Sequence, residues 1–144
     1  MLGALPPARV IAAAQDLAGP FKIEPLQLRS AGLALLPLRE GCFGEVFNLC
    51  EVPLAEAAIE LVDASGRYSG GARVTASDAA YAEAVAVLDA IMAHDLAGAD
   101  RARALLMEGL ALVQAEHARR SELVARTRVD FEALAFTGDD DDNP

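Results

Sequence analysis

The apolar positions of this chain change their spacing several times, and each change marks an element. Val10, Ile11, Ala14 and Leu17 recur every three or four residues, with Pro7 at the start and Gly19-Pro20 just past the end, which predicts a short amphipathic helix. From Lys22 to Glu40 the pattern turns to two short extended runs, Leu26 to Arg29 and Leu33 to Leu38, with Ala31-Gly32 read as the turn between them. Pro25 and Pro37 confine these runs to edges or strand ends, because proline cannot donate to a ladder. Arg39 to Gly44 reads as a loop. Beyond it Val46, Asn48, Cys50 and Val52 alternate with Phe47, Leu49 and Glu51 in the period-two manner of a strand.

Leu54 to Val62 has the composition of a helix, with Pro53 suited to its first position, yet Glu56 and Glu60 would then repel each other at i, i+4. As a strand the two acids share one face while Ala57, Ile59 and Leu61 share the other, and the strand reading is preferred. Asp63 to Arg67 is a turn. Tyr68 to Val74 is a strand in which Gly70-Gly71 marks a bulge or a close backbone approach. Thr75 followed by Asp78 resembles a capping box opening a helix to about His94, striped by Tyr81, Val85, Leu88 and Met92. Gly98 closes that connection, and a longer helix runs from Asp100 to about Thr127, with Leu106, Leu110 and Val113 as its buried stripe and Gly109 as a weak point. The resulting expectation is an α+β fold: an antiparallel sheet of about four to five strands, an N-terminal helix and two C-terminal helices. Residues 1–137 are read as a single domain and residues 138–144 as a disordered acidic tail.

Composition changes this picture in two ways. The hydrophobic fraction is 53 %, but 31 of the 144 residues are alanine, with five Phe, two Tyr and no Trp, so each buried position contributes little area. Close packing of elements, or side chains from a partner, is needed to compensate. The net charge is −10, of which four units lie in Asp139 to Asp142, and this argues against free nucleic acid or an anionic membrane as the main partner. No apolar run reaches the roughly 18 residues that span a bilayer, no export signal is legible at the start, and two cysteines fit a reducing compartment, so a cytoplasmic protein is expected.

Candidate chemistry is sparse. Cys42 and Cys50 have no ligand cluster around them to make a four-coordinate zinc site, so no metal and no cofactor is expected in this chain. His94 fits a helix C-terminus, and His117 lies among Glu116, Arg119 and Arg120 on a solvated face; neither reads as a catalytic base. Glu51, Glu56 and Glu60 are the paired-carboxylate candidates, against which stands the simpler reading of a solvated sheet face. The Gly-rich turn Arg39 to Gly44 could present N–H groups to a phosphate, but it matches neither dinucleotide nor phosphate-loop spacing and is favoured as a plain turn. Arg119, Arg120, Arg126 and Arg128 form a basic end to the last helix, suited either to an acidic partner or to internal pairing such as Arg126 with Glu122.

Four stretches together resemble the PhnG family, the small G subunit of the bacterial carbon–phosphorus lyase system. REGCFGEVFNLCE, Arg39 to Glu51, resembles the family's R-x-G-G-T-G-x-x-F-N-L-G-E segment at Arg39, Gly41, Gly44, Phe47, Asn48, Leu49 and Glu51. Leu54 to Leu61 falls on the family's next strand; Asp78, Ala82-Glu83 and Leu88-Asp89-Ala90 fall on its G-R-D…A-E…D-A helix; Thr127 to Phe131 resembles its T-R-V-D-F. Departures are Cys42 and Cys50 in place of glycines, and Glu56 and Ser77 in place of arginines.

The resemblance implies a noncatalytic, structural subunit of a core complex with I, H and J subunits, which uses ATP and a phosphonate to displace adenine and form ribose 1-phosphonate 5-triphosphate. The glycosyl-transfer centre is then associated with the I subunit, and the later lyase step with a separate iron–sulfur, S-adenosylmethionine-dependent subunit. Arg39, Asn48, Asp78 and Arg128 become the candidate partner or phosphate contacts. Exchanging Arg for Glu at position 56 alters two units of charge, which favours an assembly role over direct ligand contact and allows a diverged paralogue. A stand-alone homodimeric module for a small ligand is the competing reading, and an independent hydrolase using the glutamates a third.

Overall fold

The computed structural model describes residues 1–127. A single 3-10 turn, Leu2–Ala4, precedes helix α1, Pro7–Ala18; three strands follow, β1 Lys22–Arg39, β2 Val46–Val62 and β3 Arg67–Val74, and then helices α2, Ala79–Ala93, and α3, Ala99–Arg126. The strands form one antiparallel sheet in the order β1-β2-β3. The α+β class and the three helices are as expected, and the sheet has three strands where four to five were predicted. The difference is that the two runs of the Lys22 to Glu40 segment form one 18-residue strand with no turn at Ala31-Gly32, and Val46 to Val62 runs unbroken through Pro53. Both prolines of β1 are tolerated because β1 is an edge strand, where an N–H is not required on the outer side.

The chain divides into two compact units, residues 1–113 and the part from residue 114 onward. In the first, α2 packs on β2 and β3 and against α1. Ala55, Ala57, Ile59 and Leu61 of β2 alternate inward beneath it, while Glu56 and Glu60 take the opposite face, as the strand reading required. Leu61, Leu88, Ile91 and Val10 are the largest fully buried side chains, each contributing about 1.5–3 kcal/mol. Helix α2 is buried well beyond the predicted stripe: Ala82, Ala84, Ala86, Val87, Ala90 and Ile91 are all enclosed.

Asp78 caps α2, its Oδ1 accepting the Ala80 N–H at 2.8 Å; Thr75 plays no part in the cap. Gly70 supplies a close approach and not a bulge, since β3 keeps an unbroken register with β2 and α2 passes directly over Gly70. The first half of α3 buries Ala99, Ala102, Leu105 and Gly109, one position away from the predicted Leu106, Leu110 and Val113 stripe, and Val113 is exposed. Ion pairs Arg9–Glu108, bidentate at 2.5 and 2.8 Å, and Arg101–Asp16 at 3.6 Å link α3 to α1.

In the second unit the described residues are exposed helix. Arg119 and Arg120 both pair with Glu116, and Arg126 pairs with Glu122 at 2.5 Å. Internal pairing therefore occupies three of the four arginines at this basic end. Arg128, and the tail expected at residues 138–144, lie outside the described residues.

Candidate functional site

The sheet is not uniformly covered. β3 pairs with β2 only from Ala55 to Val62, so Gly32–Arg39 and Val46–Leu54 continue as a two-stranded hairpin arm, about 25 Å long at the usual strand rise. Register places Ala34, Leu36 and Leu38 of β1 beside Val52, Cys50 and Phe47 of β2 on one face of the arm. The other face carries Leu33 and Leu35 beside Pro53 and Glu51. Leu33, Leu35, Leu36, Leu38, Val46, Phe47 and Leu49 are all exposed. An amphipathic strand in a soluble sheet alternates apolar with polar; here the first face is apolar throughout and the second sets exposed leucines among Arg39, Asn48 and Glu51, so the arm presents apolar side chains on both sides.

The tip is tightly organised. The Glu40 carboxylate accepts the backbone N–H groups of Cys42, at 3.0 Å, and Phe43, and these bonds hold its pKa below the ordinary glutamate value. Arg39 Nη1 donates to the Gly44 carbonyl at 2.9 Å, and Gly44 takes φ +72°, the left-handed region that glycine enters without cost. The N–H groups that a phosphate would need are thus already bonded to a carboxylate of the same loop. The loop holds Phe43 at 89 % exposure at the end of the arm.

Of the four residues singled out in the sequence, Arg39 and Asn48 lie together on the arm, Asn48 exposed opposite Pro37. Asp78 lies at the start of α2, beyond the end of β3, where Val74 pairs with Ala55. Seven residues of β2, roughly 20 Å of strand, separate the levels of Asn48 and Ala55, so these residues make no single pocket. Arg128 is outside the described residues.

The glutamates do not form an acid/base pair. Glu56 is bonded to its cross-strand partner Arg73 at 2.7 Å, and Arg67 bridges Glu60 at 2.7 Å and Glu24 at 2.9 Å. Lys22 and Arg67 together lower the Glu24 pKa, an effect opposite to the raised value of a general acid. The Glu56–Arg73 pair gives Glu56 a cross-strand partner of opposite charge. His94 ends α2, its ring 5.5 Å from that of Tyr68 and its Nε2 3.2 Å from the Ser69 carbonyl. Among the described residues no three His, Cys, Asp or Glu side chains cluster in a way that could hold a metal ion.

A model of the family described as "Phosphonate metabolism protein PhnG" matches residues 1–136, nearly the entire chain and all of the arm. The chain belongs to the PhnG family. It is accordingly a protein of phosphonate metabolism. No curated protein matches it significantly. No helix among the described residues is long and apolar enough to cross a membrane.

Sequence reasoning reached Arg39 and the Gly-rich tip but missed the arm. Its signal was present: Leu33, Leu35, Leu36 and Leu38, with Val46, Phe47, Leu49 and Val52, put large apolar side chains on both faces and leave one face with no charged residue.

Proposed function

We propose that this PhnG-family member is a structural subunit of the carbon–phosphorus lyase core complex, joining cytoplasmic I, H and J subunits that form ribose 1-phosphonate 5-triphosphate from ATP and a phosphonate with release of adenine. The observation that carries this reading is the arm, whose leucines are exposed on both faces. Packing against other chains would remove from water the area that the alanine-rich body lacks. Glu56 and Glu60 are held by arginines and the tip amides by Glu40, so in this reading the chain lends surface and not a reactive group. Arg39, Asn48, Asp78 and Arg128 serve in this reading as contacts or as supports of contacts: Arg39 by shaping the tip, Asp78 by capping α2, and Asn48 and Arg128 directly. Residues 1–137 then act as one assembly module.

The test is coexpression with the I, H and J subunits and a mass measurement of what copurifies. A complex containing all four, with adenine release that the isolated chain lacks, is expected; a chain that purifies alone from that mixture overturns the reading.

One observation favours the small-ligand alternative. Tyr81 is 4 % exposed, its hydroxyl has no hydrogen-bond partner among the described residues, and burial pushes its pKa up. It lines a cavity of about 430 Å³ with Val74, Thr75, Val85 and Leu106, within the size range of ligand sites. Saturable binding of a small molecule there by a chain that ignores the other subunits would favour this alternative.

A further inference from the structure

The two long edges of the arm are not equivalent. On the arm the outer edge of β1 carries Pro37 and Arg39, and nearer the body the same edge carries Pro25, the cations Lys22 and Arg29, and two register shifts in which β1 holds the extra residues, between Pro25 and Gln27 and between Gln27 and Ser30. Prolines, cations and bulges are the features that keep an exposed edge from pairing. The opposite edge, along β2 from Val46 to Val52, has no proline, no lysine and no arginine, and one irregularity, at Leu49. Among the described residues no strand pairs with it, because β3 stops at the Ala55–Val74 pair. Among these residues a row of N–H and C=O groups is thus left without a strand partner between two leucine-bearing faces, in line with β3.

We propose that Val46–Val52 is a strand-addition site, and that its occupant is an extended apolar segment of a sister protein carrying a lysine or arginine. The inference rests on the subunit reading above and adds the mode of contact. Main-chain hydrogen bonds would supply the affinity and the leucine-lined faces the specificity, as in other cases of an added strand. Position sets the register: the seven residues Val46–Val52 lie between the tip and Pro53, so the incoming strand pairs along them and continues the line of β3. Charge selects the partner. Glu45 and Glu51 flank the open edge, and the nearest cation, Arg39, is bonded to Gly44. A second copy would bring another −10 and an edge without cations, whereas a basic residue on a different chain would meet Glu51.

Amide hydrogen exchange, read on the wild-type chain alone and in the copurified complex, tests this without a variant that might not fold. The expected result is slowing by about tenfold or more of alternate amides in Val46–Val52 on assembly, with the outer amides of β1 from Lys22 to Ser30 unchanged, and an about fivefold loss of copurification for Glu51→Lys. If the complex forms and these amides exchange as before, the edge assignment falls and the subunit reading stands. If no complex forms, both fall. If the isolated chain is a dimer with the same amides protected, the occupant is a second copy; if the isolated monomer shows the protection and loses it when residues 128–144 are removed, the occupant is its own C-terminal segment. Either result overturns the proposal of a different protein.

Discussion

Gly70 of β3 lies so close beneath Ala90 of α2 that a Cβ on Gly70 would stand 2.7 Å from the Ala90 Cβ, and it would meet the Ala86 carbonyl more closely still. The adjacent Gly71 has open space, its nearest contact being the Ala57 carbonyl at 3.9 Å, while its N–H donates to Asp89 at 3.1 Å. The pair therefore divides its work: Gly70 lets helix and strand approach, and Gly71 offers an amide to the helix. Gly70→Ala should destabilise the first unit by about 1–3 kcal/mol or more, because backbone must shift, whereas Gly71→Ala should change it by less than about 1 kcal/mol. Denaturant titration of the two variants gives the comparison, and equal midpoints would refute the packing account.

The arm should be separable from folding. Leu36→Asp combined with Phe47→Asp places two charges on the arm face that carries Ala34, Leu38, Cys50 and Val52, without touching the buried core. Stability of the isolated chain should change by less than about 1 kcal/mol, as for exposed positions generally. Copurification with the other subunits should fall by about tenfold or more, equivalent to at least about 1.4 kcal/mol of binding. A variant that still assembles at the wild-type level would remove the arm from the interface.

The tip should respond to acid. Backbone N–H bonds from Cys42 and Phe43 favour the ionised Glu40, so its folded pKa lies below the unfolded value of about 4.3. A depressed folded value means that the stabilisation is complete above about pH 4.3 and is lost as pH falls through the lower folded pKa. The Cys42 and Phe43 amide NMR shifts should therefore titrate together below about pH 4, and Glu40→Gln should abolish that titration. Shifts that stay constant to about pH 2 would show that the carboxylate does not hold the turn.

At the other end of the chain, Arg128→Glu should weaken assembly. Its neighbours Arg119, Arg120 and Arg126 have glutamate partners on their own helix, so the variant is placed at the arginine of this basic end that lies outside the described residues. A loss of roughly tenfold in affinity is expected for reversing a charge at an interface, with the difference shrinking at high salt. Unchanged copurification at low salt would count against the contact.

The strand reading of Leu54 to Val62 succeeded on one physical point: Glu56 and Glu60 would repel as i, i+4 neighbours on a helix, and in the sheet each has an arginine opposite or beside it. Helix α1 was legible because Pro7 and Gly19 stand at its ends and Val10, Ala14 and Leu17 repeat on one side. The buried face of α3 was not, because Ala102 and Gly109 carry almost no hydrophobic signal. Gly109 read as a helix defect, yet it lies against the Met1 backbone, where a side chain has no room.

Local chemistry in the sequence was enough to determine the helix ends, the alternation of β2 beneath α2 and the Gly-rich tip, since caps, prolines, charge spacing and period-two patterns act within a few residues. Strand length was a tertiary matter: Pro25, Gly32, Pro37 and Pro53 interrupt a pattern on paper, but cross-strand pairing carries β1 and β2 through all four. The contrast between covered body and uncovered arm also belongs to the tertiary structure, because it depends on where β3 stops, at Ala55 opposite Val74, and no residue in the arm itself records that boundary.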